Sequence, residues 1–209
     1  MLPFGKYKNE SIQEIYQKDK EYLKWLNKQS WFRNKFKTLH QQTSKQLSEV
    51  EKPIEVDSDT IVVYTDGGCP GNGSQKAKAG IGVYFDTENK IQMENISREI
   101  QIDTPTNNKA ELIAIWEALK TCKANNIQQK IHIYTDSMYS LNCITVWYPK
   151  WMKENKLKNR KNIDLIQPIY ELTQEMNVIF IHINAHTDLQ DRHSLGNNKA
   201  DLLATQCIS

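Results

Sequence analysis

The chain has 209 residues, 39% of them hydrophobic and 25% charged, with 27 Lys/Arg against 25 Asp/Glu. This is the composition of a globular protein, with chain enough for one ordinary domain and a small appendage. No apolar run approaches the ~20 residues that span a bilayer, and the charged N-terminus is not that of a signal peptide. Four cysteines scattered without C-x-x-C spacing (Cys69, Cys122, Cys143, Cys207) exclude a disulfide framework and a zinc site. An intracellular protein, cytoplasmic or nuclear and off the membrane, is expected.

The first forty residues read as short helices. Ser11 and Glu14 have capping-box spacing, and Tyr22, Leu23, Trp25 and Leu26 give the next helix an apolar face. Trp31, Phe32, Phe36 and Leu39 continue the pattern. Residues 43–58 are polar, carry Pro53 and lack periodicity, which predicts a linker. Residues 1–42 are therefore expected to form a small helical module. Residues 1–52 hold 11 Lys/Arg against 6 Asp/Glu, and this excess, with aromatics expected to be exposed (Tyr7, Trp31, Phe32), suits a polyanion. A helical cap that packs on its own core and binds nothing reads equally well.

From residue 59 the texture changes. Ile61–Asp66 reads as a buried strand, followed by a glycine-rich turn over 67–73; Ala79–Phe85 and Ile91–Ile102 alternate as strands of a meander. Asn107–Lys123 reads as an amphipathic helix and Lys130–Asp136 as a fourth strand. Helical segments are expected at Ser137–Trp151 and Asn162–Met176, then a strand Val178–Asn184, a polar loop and a helix Asn197–Cys207. The sum is an α/β domain over 59–209 with a five-stranded mixed sheet flanked by helices.

Two strands end alike, Tyr64-Thr65-Asp66 and Tyr134-Thr135-Asp136, and each delivers a carboxylate at the C-terminal edge where open α/β sheets place ligands. Glu111 opens a helix and Asp201 lies in the first turns of the last one. Singly, such acids are ordinary strand-end and helix-start charges. Four brought together without a basic partner repel unless cations bridge them, which points to magnesium and phosphate chemistry. Lys150 to Lys161 adds six Lys/Arg against one acid, Glu154, beside Trp147 and Trp151, the footprint of a polyanion.

Four stretches in register carry a resemblance: Thr65-Asp66-Gly67-Gly68 with Pro70-Gly71-Asn72-Gly73, Thr106 to Leu112, Tyr134 to Ser137, and Gly196-Asn197 to Ala200-Asp201. They resemble type 1 ribonuclease H over about three-quarters of the chain. The resemblance implies a ribonuclease H-like fold, a catalytic domain over 59–209, and endonucleolytic hydrolysis of the RNA strand of an RNA–DNA hybrid by a monomer. It implies two Mg²⁺ ions, with Mn²⁺ as a substitute, held by Asp66, Glu111, Asp136 and Asp201, with Asp66 shared. It places a loop histidine beside them: His186, or its rival His193, in a loop about five residues longer than the family's. Implied substrate contacts are the backbone at Gly67, with Asn72 and Asn108 on the minor groove and Thr106 and Asn107 at a DNA phosphate. Asn162 matches a further phosphate contact, and Tyr139, Trp147 and Trp151 an aromatic channel; both tryptophans also read as helix-packing residues. The family's arginine two residues before Thr106 is here Thr104. Leu2 to Lys8 with Glu14-Ile15, Tyr22-Leu23 and Trp25-Leu26 resembles a module of exodeoxyribonuclease X-type proteins. A DNA exonuclease reading is opposed by Asp66-Gly67-Gly68, which lacks an Asp-x-Glu pair on the first strand. A non-catalytic binding module would be expected to lack an acid, and none is missing.

Overall fold

The structure is a computed structural model that describes residues 1–50, 58–74, 76–185 and 191–208, without the side chains of 17 and 48–50. The chain divides into two compact units, Met1–Glu55 and Val56–Ser209. Among the described residues no helix is long and apolar enough to cross a membrane.

The first unit holds four helices: α1 (Ile12–Lys18), α2 (Lys20–Asn27), α3 (Ser30–Lys35) and α4 (Lys37–Val50). The capping box forms, with the Glu14 amide donating to Ser11 Oγ (3.2 Å) and the Ser11 amide to Glu14 Oε2 (2.8 Å). Asp19 caps α2 by accepting from the Tyr22 amide. Leu2, Ile15, Leu23, Leu26 and Phe32 are fully buried as this unit's own core. Phe32 is therefore a core residue and not the exposed ring expected above, whereas Trp31 is 43% exposed. The linker expected from residue 43 is displaced as well, because α4 continues to Val50. The reason is a sparse stripe: partly buried Leu39, then buried Thr43 and Leu47, recur every fourth residue, with polar side chains between them.

In the second unit the elements run β1 (Ile61–Gly68), β2 (Ala79–Phe85), β3 (Ile96–Ile100), α5 (Asn107–Ala124), β4 (Ile131–Thr135), α6 (Met138–Asn142), a π-helical turn (Cys143–Trp147), α7 (Tyr148–Lys153), α8 (Ile163–Glu175), β5 (Val178–His182) and α9 (Arg192–Gln206). The sheet order is β3-β2-β1-β4-β5, antiparallel through β3-β2-β1 and parallel through β1-β4-β5. Strand β1 is buried along nearly its whole length because both sheet faces are covered. Alternation sorts its side chains: Ile61 and Val63 join Leu112, Ile115 and Ile166 beneath α5 and α8, and Val62 and Tyr64 join Ala200 beneath α9.

Beyond shifts of one or two residues (β1 runs on to Gly68, into the expected turn, and β5 stops at His182), three boundaries differ from the sequence expectation. Strand β3 starts at Ile96 and not 91, since beyond the Val83–Ile96 pair a side chain takes over the bonding to β2: the Phe85 amide donates to Asn95 Oδ1 (2.9 Å). The expected single helix over 137–151 breaks into α6, a π turn and α7. Pro149 has no N–H to donate and its ring crowds the carbonyl one turn back, so the chain widens before it. Helix α9 begins at Arg192, five residues early, because Asp191 caps it by accepting from the His193 and Ser194 amides at 3.0 and 3.1 Å.

Candidate active site

The parallel register sets Tyr64 against Tyr134 and Thr65 against Thr135, so the next residues, Asp66, still paired with Gly82 of β2, and Asp136, just past β4, come side by side. Glu111 comes from the first turns of α5, whose N-cap Thr106 accepts from the Lys109 amide at 3.2 Å. Gly67 permits that approach: a Cβ there would sit 2.2 Å from the Glu111 nitrogen and 2.3 Å from the Ala110 carbonyl carbon. Helix α9 comes equally close on the other face, where a Cβ on Gly82 would lie 2.0 Å from the Ala200 carbonyl oxygen. This brings Asp201 to the same edge.

Asp66, Glu111 and Asp136 each offer a carboxylate oxygen within 4.8 Å of the other two. Asp201 stands outside that tight group but lines the same open cleft, together with Gly67 and Asn107. Burial, followed by the negative charges of Asp136 and Asp201, pushes the Asp66 carboxyl up to about 7. Burial, followed by Asp66, holds Glu111 well above the usual carboxylate range. Glu111 Oε2 is buried without a hydrogen-bond partner among the described residues. Crowded carboxylate oxygens, on a set that includes a buried Glu111 oxygen with no donor among the described residues, are the hard donors that a divalent cation such as magnesium takes. The residues present fit a metal.

The remaining predicted residues separate into groups. Asn72 lies exposed on the turn that follows β1, Asn107 is exposed at the cleft, and Asn108 is half-buried beside it. Thr106 Oγ1 is engaged as the helix cap, and Lys109 Nζ donates to the Asp103 and Thr104 carbonyls at 2.7 and 3.0 Å just before it. Tyr139, Trp147 and Trp151 form a continuous aromatic row, with centroids 5.9 and 6.3 Å apart and Arg160 over Trp151 at 4.8 Å. Tyr139 and Trp151 also pack on the core, while Trp147 is 36% exposed. Asn162 is buried, in the left-handed region (φ 58°) at the start of α8, and donates to Tyr139 Oη at 2.9 Å. Its side chain braces the row.

His186 lies outside the described residues. Its rival His193 belongs elsewhere: it sits in the first turn of α9, its Nδ1 is 2.9 Å from Tyr64 Oη, and its ring stacks on Tyr134 at 4.3 Å. Eight helical residues, about 12 Å along the axis, separate it from Asp201. Sequence reasoning did not single out Asn197, which is buried one turn before Asp201 and donates through Nδ2 to Asp136 Oδ2 at 3.3 Å. The i, i+4 spacing of Asn197 and Asp201 on one helix face was the available signal.

A family model described as RNase H matches residues 57–209, and one described as exodeoxyribonuclease X-like C-terminal matches residues 2–30. Ribonuclease H1 of Rattus norvegicus is 37% identical over 153 residues, which cover 71% of this chain and 50% of that protein. The chain thus spans about half the length of the first mammalian relatives it matches. Among solved structures, LC11-RNase H1, isolated from compost by a metagenomic approach, superposes with a TM-score of 0.53 at 26% identity, covering 72% of this chain and 96% of that one. The foamy viral protease-reverse transcriptase in complex with an RNA/DNA hybrid gives 0.56 at 25% identity, over 75% of this chain and 21% of that one. With the sheet order, the acidic edge and a match over most of its length in agreement, the chain belongs to the RNase H family.

Proposed function

We infer that this protein hydrolyses the RNA strand of RNA–DNA hybrids endonucleolytically, with two Mg²⁺ ions held by Asp66, Glu111, Asp136 and Asp201, and Mn²⁺ as an effective substitute. The observation that carries the reading is a group of Asp66, Glu111 and Asp136 carboxylate oxygens within 4.8 Å of one another, on a Glu111 whose buried Oε2 has no hydrogen-bond partner among the described residues. Two divalent ions at such a site supply an activated water and charge stabilisation for the scissile phosphate and the leaving oxygen. Asp66, flanked by Asp136 on the next strand and by the negative charge of Asp201, is suited to be the shared ligand. Asn197 would hold Asp136 in position through its Nδ2.

The hybrid itself is the partner of a relative of the same fold, the foamy viral enzyme named above. On this chain, Gly67 and Asn107 line the cleft; the Gly67 backbone, Asn72 and Asn108 would meet the minor groove, and Thr106 and Asn107 a DNA phosphate. Tyr139, Trp147 and Trp151, with the exposed lysines of 150–161, suit the DNA strand. All four acids come from one chain, which supports a monomer as the catalytic form and residues 59–209 as the catalytic domain. Engagement of His193 with Tyr64 and Tyr134 favours His186 as the residue that helps product leave.

The test is cleavage of end-labelled hybrid, DNA duplex and RNA duplex in Mg²⁺ and in Mn²⁺. Only the RNA strand of the hybrid should be cut internally, chelation should stop it, and Asp66→Asn or Asp136→Asn should abolish cutting while hybrid binding survives. Cleavage of the DNA duplex, or full activity in either variant, refutes the assignment.

A further inference from the structure

Acids and bases are used very unevenly in residues 1–50. Glu10 pairs with Lys18 at 2.7 Å, Glu14 closes the cap on Ser11, and Glu21 pairs with Lys24 at 3.1 Å. Asp19 accepts from Lys6 (3.0 Å), Tyr7 Oη (2.8 Å) and the Tyr22 amide. Every carboxylate up to residue 21 is consumed within its own unit. From Tyr22 to Ser48 there is no Asp or Glu at all, against six Lys/Arg. Four of those, Lys28, Arg33, Lys35 and Lys37, are exposed and have no carboxylate partner among the described residues.

Large rings stand among these cations. Trp25 is 51% exposed and Trp31 43% exposed, although the unit's core is already closed by fully buried Leu23, Leu26 and Phe32. Trp25 adjoins Tyr22 (5.6 Å between centroids), which adjoins Tyr7 (5.0 Å). Trp31 adjoins Phe4 (5.1 Å), which adjoins Phe36 (4.8 Å), and Lys35 lies over Phe36 at 5.8 Å. Phe4 and Tyr7 bracket one short segment whose Gly5 packs so tightly on Tyr22 that a Cβ would fall 2.6 Å from its hydroxyl. The two ring sets are therefore joined through one short segment, residues 4–7. Exposed aromatic rings set among unpaired cations match a chain of phosphates that carries unstacked bases, because a duplex has already spent its base faces on its own stack.

We propose that this surface binds single-stranded nucleic acid, with Trp25 and Trp31 stacking on unpaired bases while Lys28, Arg33, Lys35 and Lys37 neutralise phosphates. Rings and cations read features common to DNA and RNA, so strands of either sugar bind alike. The inference is independent of hydrolysis by the second unit.

The experiment is fluorescence anisotropy with the full chain in EDTA, using labelled 12-nucleotide oligothymidylate and oligouridylate and a blunt DNA duplex of the same length. Trp25→Ala with Trp31→Ala should weaken both single strands at least about 30-fold and the duplex less than about threefold. Substituting Gln at all four cations should flatten the slope of log affinity against log salt by about 3, the counterion release of four phosphates. Trp25→Phe with Trp31→Phe should retain most of the affinity. If the double Ala variant does not fold, the surface Gln variant and its salt slope decide the matter. Single-strand affinity that is unchanged in the Gln variant or in a folded double Ala variant overturns the proposal, as does equal loss for duplex and single strand. Because no cation is present and no cleavage is read, failure of the hydrolytic reading would leave these results untouched.

Discussion

Replacing Asp66 by Asn should stabilise the metal-free protein at alkaline pH while destroying its activity. In the fold, burial and then the charges of Asp136 and Asp201 push this carboxyl from its ordinary 3.8 up to about 7. Between those two values the unfolded chain has released a proton that the folded one keeps, so stability falls as pH rises from about 4 to about 7 and is level above. Three pH units at 1.36 kcal/mol each set a ceiling of about 4 kcal/mol for the ionised site. Because the carboxylates titrate together, relief at a neighbour lowers the share released by one neutral side chain to about 2–4 kcal/mol. For a domain of this size that is a rise in unfolding midpoint of roughly 5–15 °C at pH 8 in EDTA. At pH 4.5 the native carboxyl is already protonated, and the advantage should shrink to about 1 kcal/mol. Excess Mg²⁺ should narrow or cancel the difference by stabilising the parent, by about 2.7 kcal/mol at a hundredfold excess over its dissociation constant and about 4.1 kcal/mol at a thousandfold. Calorimetry at the two pH values, with and without the cation, measures all of this. A variant that melts at or below the parent at pH 8 in EDTA, or by a margin that ignores pH, refutes the account of the site as repelling carboxylates awaiting a cation.

Gly67→Ala puts a methyl 2.2 Å from the Glu111 nitrogen; it should cost about 1–3 kcal/mol in thermal unfolding and cut hybrid cleavage at least tenfold, and an unshifted midpoint would contradict the close approach. Asn197→Leu keeps the buried volume but removes the donor to Asp136. Steady-state kinetics should show a loss of about 10–100-fold in turnover with little change in KM. Burial, followed by Arg192, lowers the pKa of His193 below its usual value, so the folded protein resists protonating it and loses stability as pH falls below about 6.5. His193→Phe, which keeps the stack on Tyr134, should flatten the parent's decline in unfolding midpoint between pH 6.5 and 5.

The central strands and α5 were legible because a strand covered on both faces reads as an unbroken apolar run, and a helix lying on a sheet shows a 3.6-residue stripe. Asp66, Asp136 and Glu111 were legible for the same local reason, each standing at the end or start of such an element. What local pattern could not show was the work done by polar side chains in place of backbone. Asn95 accepts from the Phe85 amide of β2 through its side chain in place of backbone pairing, so β3 is shorter than its alternation suggests. Pro149 is visible in the chain, but the π turn it forces depends on whether the helix continues beyond it. The exposure of Phe32 was misjudged because a short helix does not declare which of two adjacent rings, Trp31 or Phe32, meets the core.

Helix α9 is the instructive case. Its buried face is Gly196, Asn197, Ala200 and Ala204, with no large apolar residue to mark it. A hydrophobic reading passes over such a face, and the early start at Arg192 and the role of Asn197 were hidden with it. Yet the small residues are what allow contact with the backbone of β2, where Gly82 leaves no room for a Cβ beneath the Ala200 carbonyl. Larger side chains would have made the helix obvious and held it further away, with Asp201 too distant to raise Asp66 and Asn197 out of reach of Asp136. The small residues that hid the first turn of this helix from sequence reasoning are therefore the ones that bring its carboxylate to the site.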